Sequence, residues 1–192
     1  MKASLFPGTL MYFRPLLLTA LFAVLAIAPA SAQQTARAWF ENAPTPVRYD
    51  ISVTPDIEAG TFTGETTIVI QSERTQPTIV MNALDIEVTR ALIGNQTVQF
   101  AVDNDAQTLT LTPRRPLRAG RHTIRINYNG RIFDDAYGLF RVAYDQDGQT
   151  RRALATQFQV GDARRFSPMW DQPNMRSVFS IAVTAPSDLM AI

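Results

Sequence analysis

Apolar and polar residues alternate along much of this chain, and the alternation predicts β-strands. Apolar side chains occupy every second position over residues 47–54, and the same pattern returns over residues 62–70. A period of two residues is typical of a strand with one buried face. Pro55 ends the first run and Gly60 precedes the second, so the two runs predict a hairpin with its loop at residues 56–60.

Shorter runs of the same kind follow, separated by Gly, Pro, Asn and Asp residues that are typical of turns. They predict strands at residues 78–81, 86–93, 97–102, 108–112, 122–128 and 153–160, and a last, mostly buried strand at residues 178–185. One helical turn is expected near residues 162–166, with the Asp162 carboxylate capping the amides that follow it. The fold class is therefore all-β, with a two-layer antiparallel β-sandwich as the expected architecture.

The first 32 residues have the features of an export signal. Lys2 and Arg14 precede an uncharged apolar run at residues 16–27, and the small residues Ala30, Ser31 and Ala32 follow. The run is shorter than the ~20 residues that a membrane-spanning helix needs. We therefore predict a cleaved signal peptide at residues 1–32, which leaves 192 − 32 = 160 residues as one domain at 33–192. An uncleaved membrane anchor is the alternative.

Composition narrows the expected partners and location. The predicted signal holds two of the 18 basic residues and none of the 17 acidic ones, so the mature chain has 16 basic against 17 acidic residues and a net charge of −1. A nucleic-acid partner is not expected without a concentrated positive field. There is no cysteine, so stability must come from the core and the sheet. We expect a secreted periplasmic or extracellular product with no stable membrane span after cleavage.

The sequence lacks the residue types that catalysis would require. A hydrolytic zinc site uses about three side-chain ligands, usually including histidine, and His122 is the only histidine. It lies on a predicted strand and is expected at an exposed rim. No H-E-x-x-H, G-x-S-x-G or phosphate-binding glycine motif occurs. No catalytic residue and no metal ligand is therefore predicted in this chain.

One stretch does carry a family signature. It comprises Thr156-Gln157-Phe158-Gln159, then Asp162-Ala163-Arg164-Arg165-Phe166-Ser167-Pro168, then Asp171-Gln172-Pro173. The order and spacing resemble the T-Q-F-E, D-A-R-R-x-x-P and D-E-P motifs of the aminopeptidase N family of zinc metallopeptidases. These gluzincin aminopeptidases include the leukotriene hydrolase branch. Weaker likeness extends over nearly all of the mature chain, from Pro46-Val47-Arg48-Tyr49-Asp50 to Gly138-Leu139-Phe140-Arg141.

The resemblance implies a role without chemistry of its own. It implies a saddle-like N-terminal β-domain that packs over a thermolysin-like catalytic domain beyond Ile192, where the zinc would be bound. In such enzymes the glutamine of T-Q and the residue two positions later help to hold the free amino terminus of a peptide. Carried over, these substrate-binding positions are Gln157 and Gln159. On a strand, residues i and i+2 share a face, which would let both side chains approach one small group.

Two departures from the family motifs bear on this expectation. Gln159 replaces a glutamate, so an amino terminus should be held less strongly than by a carboxylate, although a branch that also hydrolyses a lipid epoxide carries glutamine here. Gln172 replaces the glutamate of D-E-P and is assigned to turn packing. Asp162, Arg164, Arg165 and Asp171 are expected to form a structural ion-pair network.

Two functions remain open at this point. The first is the N-terminal domain of a secreted zinc aminopeptidase, as a piece of a longer protein that removes amino-terminal residues from peptides. The apolar end at residues 189–192 fits that expectation. The second is a stand-alone secreted β-sandwich that acts as a binding or assembly module without peptidase activity. Sequence downstream of Ile192 would distinguish them.

Overall fold

The computed structural model describes residues 40–187, which fold almost entirely into strands. The predicted signal peptide and the last five residues lie outside the described residues. The strands are β1 Thr45–Asp56, β2 Thr61–Ser72, β3 Ile79–Asn82, β4 Glu87–Ile93, β5 Gln96–Thr97, β6 Gln99–Asp103, β7 Thr108–Thr112, β8 Gly120–Arg131, β9 Gly138–Gln146, β10 Gln149–Gln157 and β11 Val178–Val183. The one helical element among these residues is a 3-10 turn at Ala163–Arg165. No helix in the described part of the chain is long and apolar enough to cross a membrane.

The largest sheet has six strands in the order β11-β1-β2-β8-β4-β5. Its pairs are antiparallel except for β1 with β11, which run parallel. Buried apolar residues recur at alternate positions on one face, because successive side chains on a strand point to opposite sides. They include Tyr49, Ile51, Ile68, Ile70, Ile124 and Ile126.

A three-stranded sheet, β3-β7-β6, contributes the second layer of the core. Its buried residues Ile79, Met81, Leu109 and Leu111 belong to the same apolar cluster as those of the large sheet. The antiparallel pair β9–β10 forms a separate two-stranded sheet. All sheets among the described residues are open, and the predicted all-β, sandwich-like class is confirmed, with the parallel β1–β11 pair as an exception to the antiparallel expectation.

Several strands differ from their predicted bounds for local reasons. The predicted run at residues 97–102 is two strands in two sheets, because Val98 is buried between them and its N–H donates to the Ala91 carbonyl at 3.0 Å. Strand β9 has no clear period of two and was not predicted. Val47 is not on the buried face, since a bulge between Pro46 and Arg48 shifts the register there.

The prediction that the last strand is mostly buried was wrong. All six residues of β11 are exposed, although its alternating apolar residues resemble those of a central strand. The strand lies at the edge of the large sheet, and no strand of residues 40–187 pairs with its outer side. Sequence periodicity reports which residues share a face but not how far the sheet extends beyond them.

Two buried tyrosines link the large sheet to the segment at residues 166–170. The Tyr128 hydroxyl donates to the Phe166 carbonyl at 3.0 Å, and the Trp170 N–H donates to the Tyr49 hydroxyl at 3.1 Å. Burial raises the pKa of Tyr49 above its usual range and does the same to the pKa of Tyr128, because the charged phenolate would be deprived of water.

These raised pKa values lead us to expect a loss of stability in alkali. The folded-state pKa lies above the unfolded value of about 10, so the stabilisation is fully present below that pH and is lost as the pH rises towards the folded-state values. The urea midpoint should fall steeply above pH of about 10. Tyr49→Phe and Tyr128→Phe should each make that fall shallower, even though each removes a hydrogen bond. Parallel pH profiles for wild type and both variants would contradict the assignment.

Candidate functional site

The stretch that carries the family motifs begins at the end of a strand and then enters the core. Strand β10 ends at Gln157, and after the 3-10 turn residues 166–170 are all buried. Met169 and Asn82 exchange two backbone hydrogen bonds, at 2.8 and 3.0 Å, which fix this segment to strand β3. The motif residues therefore divide into an exposed group near Gln157 and a buried group around Arg164.

Gln157 and Gln159 lie on either side of Phe158, and both are exposed. The expectation that the two residues share one strand face was wrong, because β10 ends at Gln157 and Gln159 lies in the turn that follows. The backbone N–H of Gln159 donates to Gln157 Oε1 at 3.1 Å, which holds the Gln157 side chain against the turn. An amide oxygen has two lone pairs, so this oxygen can accept a second hydrogen bond. The two side chains can accept hydrogen bonds from an ammonium group, but neither can transfer a proton at neutral pH.

Phe158, between the two glutamines, fixes the loop to the core. Its carbonyl accepts hydrogen bonds from the N–H groups of Gly161 and Asp162 at 3.0 and 3.1 Å. Its ring lies 5.4 Å from the ring of buried Phe166. Because the central residue is held from both its backbone and its ring, the flanking glutamines are displayed from a supported turn.

Arg164 is the most deeply buried charge of the motif, with its side chain 2% exposed. Its Nε donates to Asp171 Oδ2 at 3.0 Å, its Nη1 donates to Gln107 Oε1 at 3.0 Å, and its Nη2 donates to the Asp171 carbonyl at 3.4 Å. A buried guanidinium is tolerated only when its donors are satisfied, and these acceptors satisfy it. The Arg164 guanidinium thus links the 3-10 turn to Asp171 and to Gln107, the residue before β7.

Arg165 forms a second, separate ion-pair group. Its Nε donates to Asp162 Oδ1 at 2.9 Å, and its Nη1 is paired with the Asp85 carboxylate. The guanidinium carbon lies 5.4 Å from the ring centroid of Phe133 and 5.7 Å from that of Tyr137. Burial lowers the pKa of Arg165 from its usual value. The expected ion-pair network therefore consists of two separate groups. Arg164 pairs with Asp171, and Arg165 pairs with Asp162.

The predicted cap by Asp162 was wrong. The 3-10 turn has no side-chain cap hydrogen bond from Asp162. Its carboxylate binds Arg165 instead, because a charged hydrogen bond with a guanidinium is stronger than one with a neutral amide.

Two other expectations concern Gln172 and His122. Gln172 is buried, and its carbonyl accepts a hydrogen bond from the Met175 N–H at 3.0 Å, as expected of a packed turn. Within the described residues, neither atom of its side-chain amide has a hydrogen-bond partner. His122 lies on β8, half-buried, with Nε2 2.9 Å from the Arg118 carbonyl oxygen.

The resemblance implies a zinc ion bound beyond Ile192, outside this chain. Within residues 40–187, no group of three or more His, Cys, Asp or Glu side chains is placed to hold a metal ion. The three carboxylates in or near the motif are all paired with arginines. Asp171 is paired with Arg164, and both Asp85 and Asp162 are paired with Arg165.

Two residues of the buried groups were not predicted from the sequence. Gln107 accepts from Arg164 across 57 positions, and Asp85 pairs with Arg165 across 80 positions. Both have a positive φ, 56° for Gln107 and 54° for Asp85. Asp85 lies in the segment Asn82-Ala83-Leu84-Asp85, within the stretch over which the weaker family likeness extends, whereas nothing in the sequence marked Gln107.

Comparison with known proteins identifies the family. The sequence profile of the Peptidase M1 N-terminal domain matches residues 45–192. The chain is 32% identical to aminopeptidase N of Acetobacter pasteurianus over 149 residues, covering 77% of this chain and 42% of that protein. It is also 32% identical to aminopeptidase M1-C of Oryza sativa subsp. japonica over 150 residues, covering 77% of this chain and 17% of that protein.

A third relative, aminopeptidase 2 of Candida albicans, is 32% identical over 149 residues, which is 77% of this chain and 16% of that protein. The chain thus spans less than half the length of each of these relatives. The resemblance drawn from the motifs at residues 156–173 is confirmed. The chain belongs to the Peptidase M1 N-terminal domain family, the N-terminal domain of the aminopeptidase N family.

Proposed function

We propose that this chain is the non-catalytic N-terminal domain of a secreted zinc aminopeptidase, and that Gln157 and Gln159 help to hold the amino terminus of a peptide substrate. The observation that supports the proposal is the position of the two exposed glutamines on either side of the anchored Phe158, joined by the hydrogen bond from the Gln159 N–H to Gln157 Oε1, within the family-matched residues. Export rests on the sequence of residues 1–32 alone. Zinc and its ligands would belong to polypeptide outside this chain.

The chemistry of the two side chains fits binding. An ammonium group donates up to three hydrogen bonds, and amide oxygens are suitable acceptors. A neutral amide holds an ammonium less tightly than a carboxylate does, which favours release of products over tight retention. Because Phe158 anchors the turn and Gln157 Oε1 accepts the Gln159 N–H, the Gln157 side chain would be held in place before the substrate arrives, which lowers its ordering cost on binding.

A charge-restoring substitution tests the proposal. The test uses the longer protein that includes the polypeptide encoded after Ile192. In it, Gln159→Glu should lower KM for peptides with a free amino terminus about tenfold. The reason is that a charged hydrogen bond is stronger than a neutral one by about 1.4 kcal/mol. The measurement is the steady-state hydrolysis of an aminoacyl anilide. Its amino-acetylated analogue, tested as a competitive inhibitor, should show no such gain in affinity.

The matched control is Gln149→Glu, which adds the same charge at the other end of β10. It should leave KM unchanged. If both substitutions change KM equally, the effect is long-range electrostatic attraction and the proposed contact is wrong. If the longer protein has no aminopeptidase activity at all, the proposed enzyme context is wrong.

A further inference from the structure

The base of the β9–β10 hairpin packs against Arg165. Gln157 pairs with Gly138 at the last register position of the hairpin. Gly138 has φ +54°, and a Cβ atom added to it would lie 3.0 Å from Arg165 Cβ. The residue opposite Gln157 in the ladder therefore lies against the Arg165 side chain, with no room for a larger residue.

The segment that leads into β9 packs on the same side chain. It provides the two rings that contact the Arg165 guanidinium, those of Phe133 and Tyr137. The Phe133 N–H donates to the Leu139 carbonyl at 2.9 Å, and the Phe133 carbonyl accepts from the Arg141 N–H at 2.8 Å. Because these hydrogen bonds join Phe133 to the start of β9, the contact with Arg165 holds that start as well.

The Arg165 guanidinium also links the turn after β10 to the body of the domain. Asp162, whose carboxylate accepts from Arg165 Nε at 2.9 Å, donates its backbone N–H to the Phe158 carbonyl at 3.1 Å. Asp85, which pairs with Arg165 Nη1, lies in the connection between β3 and β4, which belong to the two core sheets. One side chain thus connects the hairpin base, the turn and the sandwich.

We propose that Arg165 is a positioning residue for the amino-terminus site, and that it holds Gln157 and the turn that displays Gln159 in a fixed place on the sandwich. The inference rests on the function proposed above. Since Nε and Nη1 of Arg165 are bound by carboxylates, the residue acts on the substrate through the two glutamines. Looser glutamines lose more conformational freedom on binding, which weakens binding and leaves the chemical step almost unchanged.

Arg165→Lys in the longer protein that continues past Ile192 tests this role through the kinetic constants. A lysine keeps the charge, but it cannot bind both carboxylates with the fixed fork of an arginine. KM for an aminoacyl anilide should rise about fivefold, as expected for the cost of ordering one side chain, while kcat changes by less than about twofold. A fall in kcat with KM unchanged would indicate a merely structural role and overturn the proposal.

The matched control is Arg152→Lys. Arg152 lies on β10 and also links the hairpin to the sandwich, but its ion pair with Glu58 is largely exposed. Exposed pairs contribute little, so this variant should leave KM unchanged. An equal rise in KM for Arg152→Lys and Arg165→Lys would overturn the proposal, because any loosening of the hairpin would then have the same effect.

A double substitution shows whether Arg165 acts through Gln157. Gln157→Ala removes the side chain that Arg165 is proposed to position. Arg165→Lys added to this variant should therefore raise KM further by about twofold or less. A further rise of the full fivefold would show that Arg165 acts independently of Gln157 and would overturn the proposal.

Hydrogen–deuterium exchange of the longer protein measures the positioning without reference to activity. Arg165→Lys should speed exchange over residues 155–162 by about threefold or more and leave residues 61–72 of β2 unchanged. No change at residues 155–162, or an equal change in both segments, would overturn the proposal. If exchange responds as expected but Gln157→Ala leaves KM unchanged, the proposed substrate contact is wrong, while Arg165 still positions the turn.

Discussion

Arg164→Met is expected to destabilise the domain by about 3–5 kcal/mol. The guanidinium is almost fully buried, and it satisfies Asp171 and Gln107 together. Methionine would fill much of the space, but it would leave the largely buried Asp171 carboxylate without its counter-charge. The cost of an uncompensated buried carboxylate exceeds what the added apolar side chain contributes.

The measurement is urea denaturation at pH 7, with Arg48→Met as the matched control. Arg48 forms an ion pair with Asp50, but both side chains are nearly half exposed. An exposed pair contributes about 1 kcal/mol or less, so the control should unfold close to wild type. Arg164→Lys should recover only part of the loss, since an ammonium cannot reproduce the fork of donors that reaches both partners. Similar midpoints for Arg164→Met and Arg48→Met would refute the buried role.

The strands that sequence reasoning located well are those with one face in the core. Strands β1, β2, β7 and β8 alternate between buried and exposed positions, and burial of one face imposes that period on the sequence. In β9 only the first two residues are buried, and in β10 seven of the nine residues are exposed. Burial of one face therefore does not require apolar and polar residues to alternate in these strands. For that reason β9 was missed, and β10 was predicted to begin four residues and to end three residues too late.

The candidate site shows the same limit at the level of single side chains. The motif identified Gln157, Arg164, Arg165 and Asp171, because a family signature preserves residue types and spacing. It did not identify which partners these residues bind. Gln107 and Asp85 reach the arginines through the packing of distant strands, and local sequence does not encode that proximity.

Two glycines in the large sheet are covered by aromatic rings from the neighbouring strand. Gly130 on β8 pairs with Phe62 on β2, and Gly64 on β2 pairs with Tyr128 on β8. A Cβ atom on Gly130 would lie 2.2 Å from Phe62 Cζ, and one on Gly64 would lie 2.3 Å from Tyr128 Cζ. Both rings are buried and contact each other edge to face, with centroids 6.3 Å apart. They therefore have little freedom to move away.

Gly130→Ala should for this reason cost about 3 kcal/mol, at the upper end for one added methyl group in a packed core. Thermal and urea unfolding of the purified chain would measure it. Gly94→Ala is the control. Gly94 has φ +58°, but no atom lies within 4 Å of the point where the added methyl group would be. Only the backbone cost of about 1 kcal/mol therefore applies. Phe62→Leu removes the ring atoms nearest to Gly130. Combined with Gly130→Ala, it should cost clearly less than the sum of the two single changes. Additive losses would mean that the methyl group does not meet the ring.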